Sequence, residues 1–315
     1  MHKLAVIGAG QVGSAIAYTL ALTGLAGSIA LIDINENLAR GEALDISHGM
    51  PLCPPARIEG GGYSLLAGAD LVIMTAGAAQ KKGEDRRSLL SRNLSIMDSA
   101  AREIATLAPE CILLIVSNPL DAMVHAAIEM TGFPPHRVLG SGTVLDTMRL
   151  RAMLSRHTGI DPRNIHGFVL GEHGDSELAA WSSVSISGMT MEEYCRDCGQ
   201  CDWKLPQKME AAFDSDVRRA AYRVIEMKGS TNHAIAMAVR RITQAILRDE
   251  HTILTVSSLL SGQYGVHDVC LSRPCVVGRR GVERIIPIKL TQDEQLQLKH
   301  SAAEIHALYK TPVMV

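Results

Sequence analysis

The chain runs to 315 residues, 47% of them hydrophobic, with a formal net charge of −2. A chain of this size buries a substantial core and divides most naturally into two domains. Charges of both signs are interspersed, giving no basic footprint for nucleic acid or an anionic membrane surface, and apolar runs such as 111–116 are far too short to cross a bilayer.

The first expected element is a strand at 4–7, so near the start that a secretory leader has no room, which implies a cytoplasmic protein. A helix follows from Gln11, then a strand at 29–32, a helix after Asn37 and a strand at 71–74. This alternation is the rhythm of a parallel sheet covered on both faces. Leu94, Met97, Ala101, Ile104 and Ala108 mark one face of the next helix, and the run 111–116 reads as a doubly covered strand. Past residue 142 the regularity changes. A helix is expected at 143–158, short strands around 165–170 and 184–186, and long helices from Pro206 and Thr231. A last helix opens at Thr291 with Glu294 three residues on, a capping box. The expected fold class is α/β, a doubly wound parallel sheet over 1–142 followed by an α+β unit over 143–315.

Seven cysteines, an odd number set mostly among apolar neighbours, fit buried thiols in a reducing compartment. Cys195, Cys198 and Cys201 have a two-residue spacing that resembles half a zinc site. A structural zinc takes four ligands, and no Cys or His pair stands nearby, so the segment reads as a surface connection and no metal is expected.

Gly8-Ala9-Gly10-Gln11-Val12-Gly13 closes the first strand and opens the first helix, where a phosphate-binding turn needs glycine for close backbone approach. Asp33 ends the second strand, where a carboxylate bonds the ribose hydroxyls of NAD and repels the 2′-phosphate of NADP. The glycine motif alone is weak evidence; the strand, helix, strand and acid together make it a dinucleotide site.

Further motifs stand in a fixed order. They are Thr75-Ala76-Gly77-Ala78, the loop from Gln80 to Asn93 with Arg86, Ser117-Asn118-Pro119, the run Gly140-Ser141-Gly142-Thr143-Val144-Leu145-Asp146-Thr147-Met148-Arg149, Gly171-Glu172-His173-Gly174-Asp175 and Lys228-Gly229-Ser230-Thr231. On these motifs the chain resembles the L-lactate/malate dehydrogenase family over nearly its whole length, most of all its bacterial NAD-dependent members. The resemblance implies a Rossmann domain followed by a substrate domain, with NAD against Gly8, Gly10, Val12, Gly13, Asp33, Thr75, Ala76, Gly77, Ala78, Val116, Asn118 and Ser141.

Reducing a 2-keto acid needs an acid for the ketone oxygen, a cation for the carboxylate and a means of excluding water. The resemblance assigns His173 as that acid, with Asp146 accepting a hydrogen bond from its ring. The bland reading is a satisfied core histidine. Arg149 follows Asp146 by three positions on one helix face, and its planar fork suits a carboxylate; otherwise it is an ordinary ion pair. Arg86 belongs to a charged, glycine-containing loop that in the family closes over substrate and stabilises charge on the ketone oxygen. Asn118, at the carboxyl end of a strand, would bond the substrate, and Thr231 would line its pocket.

The family's specificity switch corresponds to Gln80, arginine where the substrate carries a second carboxylate and glutamine where it carries a methyl. Glutamine implies pyruvate and L-lactate over oxaloacetate and malate, because a second carboxylate enclosed without a cation is penalised by several kcal/mol. Ala79 and Ser230 are small, which leaves a broader 2-hydroxyacid specificity open. An NAD-dependent glycosidase is the alternative from another class; it needs a metal, and the Gly-Glu-His-Gly-Asp segment and the Asp146/Arg149 pair speak against it. The resemblance further implies a homotetramer. Arg151 and His166 match positions that bind fructose 1,6-bisphosphate in activated bacterial members, against the plain reading of a surface cation and a structural histidine.

Overall fold

The structure, a computed structural model, describes residues 2–78, 86–197 and 206–309, without the side chains of residues 86, 206, 207 and 309. The first half runs β1 (Lys3–Ile7), α1 (Gln11–Ala21), β2 (Ser28–Ile32), α2 (Glu36–Gly49), β3 (Arg57–Gly61), β4 (Leu71–Met74), α3 (Arg86–Leu107), β5 (Ile112–Ile115), α4 (Leu120–Thr131) and β6 (Val138–Gly140). It continues through α5 (Val144–Thr158), β7 (Ile165–His166), β8 (Val169–Leu170), β9 (Leu178–Ala179), β10 (Ser185–Ile186), β11 (Met189–Thr190), α6 (Met191–Asp197) and α7 (Pro206–Phe213). The chain ends with α8 (Ala220–Lys228), α9 (His233–Leu247), β12 (Thr252–Ser261), β13 (His267–Gly278), β14 (Gly281–Ile285) and α10 (Gln292–Tyr309).

Strands β3-β2-β1-β4-β5-β6 form the parallel, doubly wound order. Every residue of β4 and β5 is buried, which explains their unbroken apolar sequence. Ile16 and Leu20 of α1 pack with Val239 and Ile242 of α9 in one core, while Met97 and Ile104 of α3 pack with Met123 and Val124 of α4 in the other.

The expected α/β order of the first half is therefore present, but the second half differs from the sequence pattern. Residues 252–285 hold a three-stranded antiparallel unit that joins the same sheet through β12 against β6, making nine strands. Its buried Thr255, Ser257 and Ser258 interrupt the apolar pattern that would have flagged a strand. The stretch 165–170 is two strands in two sheets, parted at Gly167 and Phe168. The long helix expected from Pro206 is broken by a π-helical turn at Asp214–Arg218, and the one expected from Thr231 starts at His233.

Candidate functional site

The strand order reverses between β1 and β4, and the crevice at their carboxyl ends is where an open α/β sheet binds ligands. Thr75 fastens it: its N–H donates to the Ile7 carbonyl at 2.8 Å, and its hydroxyl donates to the carbonyls of Ile7 and Gly8 at 2.9 and 3.0 Å. Gly8 has φ +102°, and a Cβ there would stand 2.7 Å from the Ala76 nitrogen. A Cβ on Gly13 would reach 1.7 Å from the Gly8 carbonyl oxygen, so α1 can approach the turn this closely only through glycine.

Gly10, by contrast, faces open space, and as N-cap of α1 it offers no side chain to the helix's first amides. Those amides suit an anion. Asp33 accepts from the Ala9 N–H at 2.8 Å and the Asn35 N–H at 2.9 Å, which fixes the carboxylate beside the turn with lone pairs left for two hydroxyls. The residues present thus fit a dinucleotide. Val116 is half-buried after β5, and Ser141, buried after β6, donates its N–H to the Ile115 carbonyl at 2.9 Å.

Asn93, which closes one of the motifs but has no role assigned to it there, ties two predicted segments together. Its Oδ1 accepts from the Ala78 N–H at 2.7 Å, and its Nδ2 donates to the Asn118 carbonyl at 2.6 Å. Gly77 and Asn118 are exposed at this crevice.

A second constellation is built on α5. Asp146 is buried; one oxygen accepts from His173 Nδ1 at 2.7 Å and the other from the Arg149 guanidinium at 2.7 Å. The loop carrying His173 is held over α5 because the Thr143 hydroxyl donates to the Val169 carbonyl at 2.5 Å and Val169 N–H donates to the Thr147 hydroxyl at 3.0 Å. Behind the loop stands Asp121, buried on α4, accepting from the His173 backbone N–H at 2.7 Å and the Ser257 hydroxyl at 2.6 Å. Its signal in the sequence was an acid inside the apolar start of a helix, Leu120–Val124, where only a partnered carboxylate survives.

Burial works against the charge on both members of the His173–Asp146 pair. Around Asp146 the facing imidazole and then the Arg149 guanidinium overcome it and hold the carboxyl below its usual range. At His173 burial is overridden by Asp146, and the ring is raised to about 9. Since Asp146 is an acceptor, Nδ1 carries a proton and Nε2 is the ring atom free to hold or release one. For Asp121, burial prevails over the donors from Ser257 and His173 and pushes the carboxyl up to about 7.

Thr231 is half-buried between α8 and α9 and makes no side-chain hydrogen bond among the described residues. Its neighbour Ser230 donates to the side chain of Gln11, linking this segment to the glycine turn. Arg151 is half-buried and its NH2 group donates to the Gly167 carbonyl at 3.4 Å, next to His166, which is exposed on β7. Arg86 opens α3, but its side chain lies outside the described residues, as do Ala79, Gln80, Cys198 and Cys201. Cys195 is buried on α6.

The family model for the lactate/malate dehydrogenase NAD-binding domain matches residues 2–140, and that for the lactate/malate dehydrogenase alpha/beta C-terminal domain matches residues 143–313. An L-lactate dehydrogenase of Thermoanaerobacter sp. strain X514 is 50% identical over 308 residues, 98% of each chain. One from Acetivibrio thermocellus is 48% identical over 311 residues, covering 99% of this chain and 97% of that one. The crystal structure of the minor L-lactate dehydrogenase of Enterococcus mundtii superposes with a TM-score of 0.93 at 36% identity, over 100% of this chain and 99% of that one. Matched in both halves and along its whole fold, this chain belongs to the lactate/malate dehydrogenase family, whose amino-terminal domain binds NAD.

Proposed function

We propose that the chain is an NAD-dependent L-lactate dehydrogenase, interconverting pyruvate and L-lactate. The observation that carries the reading is the buried Asp146 bound at once to His173 and Arg149, which brings a proton donor and a carboxylate-binding cation onto one helix face. When bound at the crevice, nicotinamide supplies or takes up the hydride at the substrate's second carbon. His173 Nε2 gives a proton to the ketone oxygen in reduction and takes it back in oxidation, while Asp146 stabilises the imidazolium. Arg149 grips the substrate carboxylate, Asn118 and Thr231 complete the pocket, and Arg86 steadies negative charge developing on the ketone oxygen. Reduction restores NAD, which gives the enzyme a fermentative use.

Gln80 supports pyruvate over oxaloacetate. The test is whether pyruvate makes the purified protein oxidise NADH, compared with oxaloacetate and branched 2-keto acids. Gln80→Arg is expected to move the kcat/KM ratio toward oxaloacetate by about tenfold or more, since it supplies the cation a second carboxylate requires. An unchanged ratio removes Gln80 from specificity.

The same reading extends to assembly, regulation and organisation. Leu38 and Leu44 on α2, Ile225 and Met227 on α8 and Met237 on α9 are exposed apolar side chains, which supports association of copies and, with the resemblance, a homotetramer. The domain boundary is set after residue 142, between the end of β6 and the start of α5. No described helix is long and apolar enough to cross a membrane, which accords with a cytoplasmic enzyme.

Arg151 and His166 form the fructose 1,6-bisphosphate site. The buried Arg151 Nε, without a hydrogen-bond partner, and the reach of Arg151 toward the residue beside His166 support a phosphate at that patch. The sugar is expected to lower the half-saturating pyruvate concentration. Arg151→Gln should weaken the effect without abolishing basal turnover; superimposable saturation curves with and without the sugar refute the site.

A further inference from the structure

Beside His173 and Asp146 stands a third acid that this mechanism does not use. Glu177 lies four residues past His173, is 3% exposed, and its Oε1 is buried with no hydrogen-bond partner. One oxygen of Glu177, one of Asp146 and a ring nitrogen of His173 lie within 4.8 Å of one another. Glu177 also lines a cavity of about 600 Å³ with Glu172, Asp175, Arg218, His300 and Glu304.

The cations around it are engaged elsewhere. Arg149 is bound to Asp146. Arg218, from the π-helical turn, donates to the Glu177 backbone carbonyl at 3.0 Å and to Glu210 at 2.9 Å, and its guanidinium lies over the Phe213 ring. The other titratable groups facing it are Glu172, His173 and Asp175 of its own segment, Asp146 of α5, and His300 and Glu304 of α10. Burial, and then the negative charge of Asp146, push the Glu177 carboxyl well above the usual carboxylate range, against the pull of His173, Arg149 and Arg218.

We propose that Glu177 is a charge-setting positioning residue of the substrate site, neutral when the 2-keto acid binds, whose ionisation cancels the positive charge that receives the substrate carboxylate. This rests on reading His173 and Asp146 as the catalytic pair. With Glu177 neutral, Asp146 and Arg149 offset each other and the His173 imidazolium leaves one positive charge, matched to one substrate carboxylate. With Glu177 ionised these four groups present no net positive charge to the incoming anion, and its burial is compensated less well.

Glu177→Gln keeps the shape and removes the titration. In the parent enzyme two protons must be in place for pyruvate to bind productively, so kcat/KM at alkaline pH falls toward about 100-fold per pH unit. In Glu177→Gln only the His173 proton is required, and the fall is limited to about tenfold per unit. Glu177→Met, which keeps the volume, gives the same shallower limb. Independently of turnover, ¹⁵N NMR of the His173 ring shows one titration step fewer in Glu177→Gln than in the parent, with the ring's own step at lower pH, because the anionic neighbour is gone and Asp121 is common to both. A limb of tenfold per unit in the parent, or identical His173 titrations in both proteins, overturns the proposal. Absence of turnover with pyruvate counts against the lactate dehydrogenase reading alone, and the NMR result still decides the role of Glu177.

Discussion

His173→Ala is expected to lower kcat for pyruvate reduction by about 10²- to 10⁴-fold, the usual contribution of a positioned general acid. NADH affinity should change little, because the glycine turn and Asp33 lie on β1, α1 and β2, whereas His173 hangs on the loop after β8. Fluorescence titration of NADH and steady-state turnover separate the two quantities. The pH dependence carries its own sign. With the His173 ring raised to about 9, the imidazolium needed for reduction persists through neutral pH and is lost as pH rises through that value. Lactate oxidation, which needs the neutral ring, strengthens in the same direction. A variant that keeps most of its turnover, with the same alkaline limb, would remove His173 from proton transfer.

The second large effect is expected at Arg149. Arg149→Gln removes the planar cation and also leaves the buried Asp146 with one partner in place of two. Losing the cation that pairs with a desolvated substrate carboxylate costs about 3–4 kcal/mol, so kcat/KM for pyruvate should fall by about 10²- to 10³-fold. Most of this belongs in KM, because the carboxylate is held in the ground state as well as the transition state. Arg149→Lys should recover little, since a point charge lacks the fork that meets both carboxylate oxygens. Loss of the guanidinium also moves the His173 limb to higher pH, because Asp146 then serves the imidazolium alone. If kcat/KM stays within about threefold of the parent, the substrate carboxylate is held elsewhere.

The parallel half of the fold was legible because its elements obey one rule at a time. β4 and β5 are short, unbroken apolar runs, and α3 keeps a clean 3.6-residue period through Met97, Ala101 and Ile104. β3 escaped notice because Arg57–Gly61 is an edge strand with one residue buried, and α4 because its first half is buried on every side and shows no polar face. β12 carries three buried hydroxyl residues, and their partners exist only once α4, α5 and β13 are in place. The site divides in the same way. His173, Asp146 and Arg149 carry their chemistry in side chains at recognisable spacing. Asn93, Asp121 and Ser257 act on backbone groups or on one another across separations of up to 136 residues, which local pattern cannot reveal.

The sheet's continuity has a mechanical consequence. β12 adds to β6 at Ser257 opposite Gly140, Thr143 N–H donates to the Thr255 carbonyl at 3.0 Å, and Asp121 spans α4, β12 and the His173 loop. A Cβ on Gly142 would stand 2.4 Å from the Thr255 carbonyl oxygen, so the crossing between the halves has no slack. An enzyme whose two halves turned on a hinge could shut on its substrate like a pair of jaws. Here the junction is riveted by the Ser257–Gly140 pairing, the Thr143–Thr255 hydrogen bond and a buried three-way acid, and such rotation would tear all three. The frame is a rigid chassis, and whatever opens and shuts the site must be a small part mounted on it.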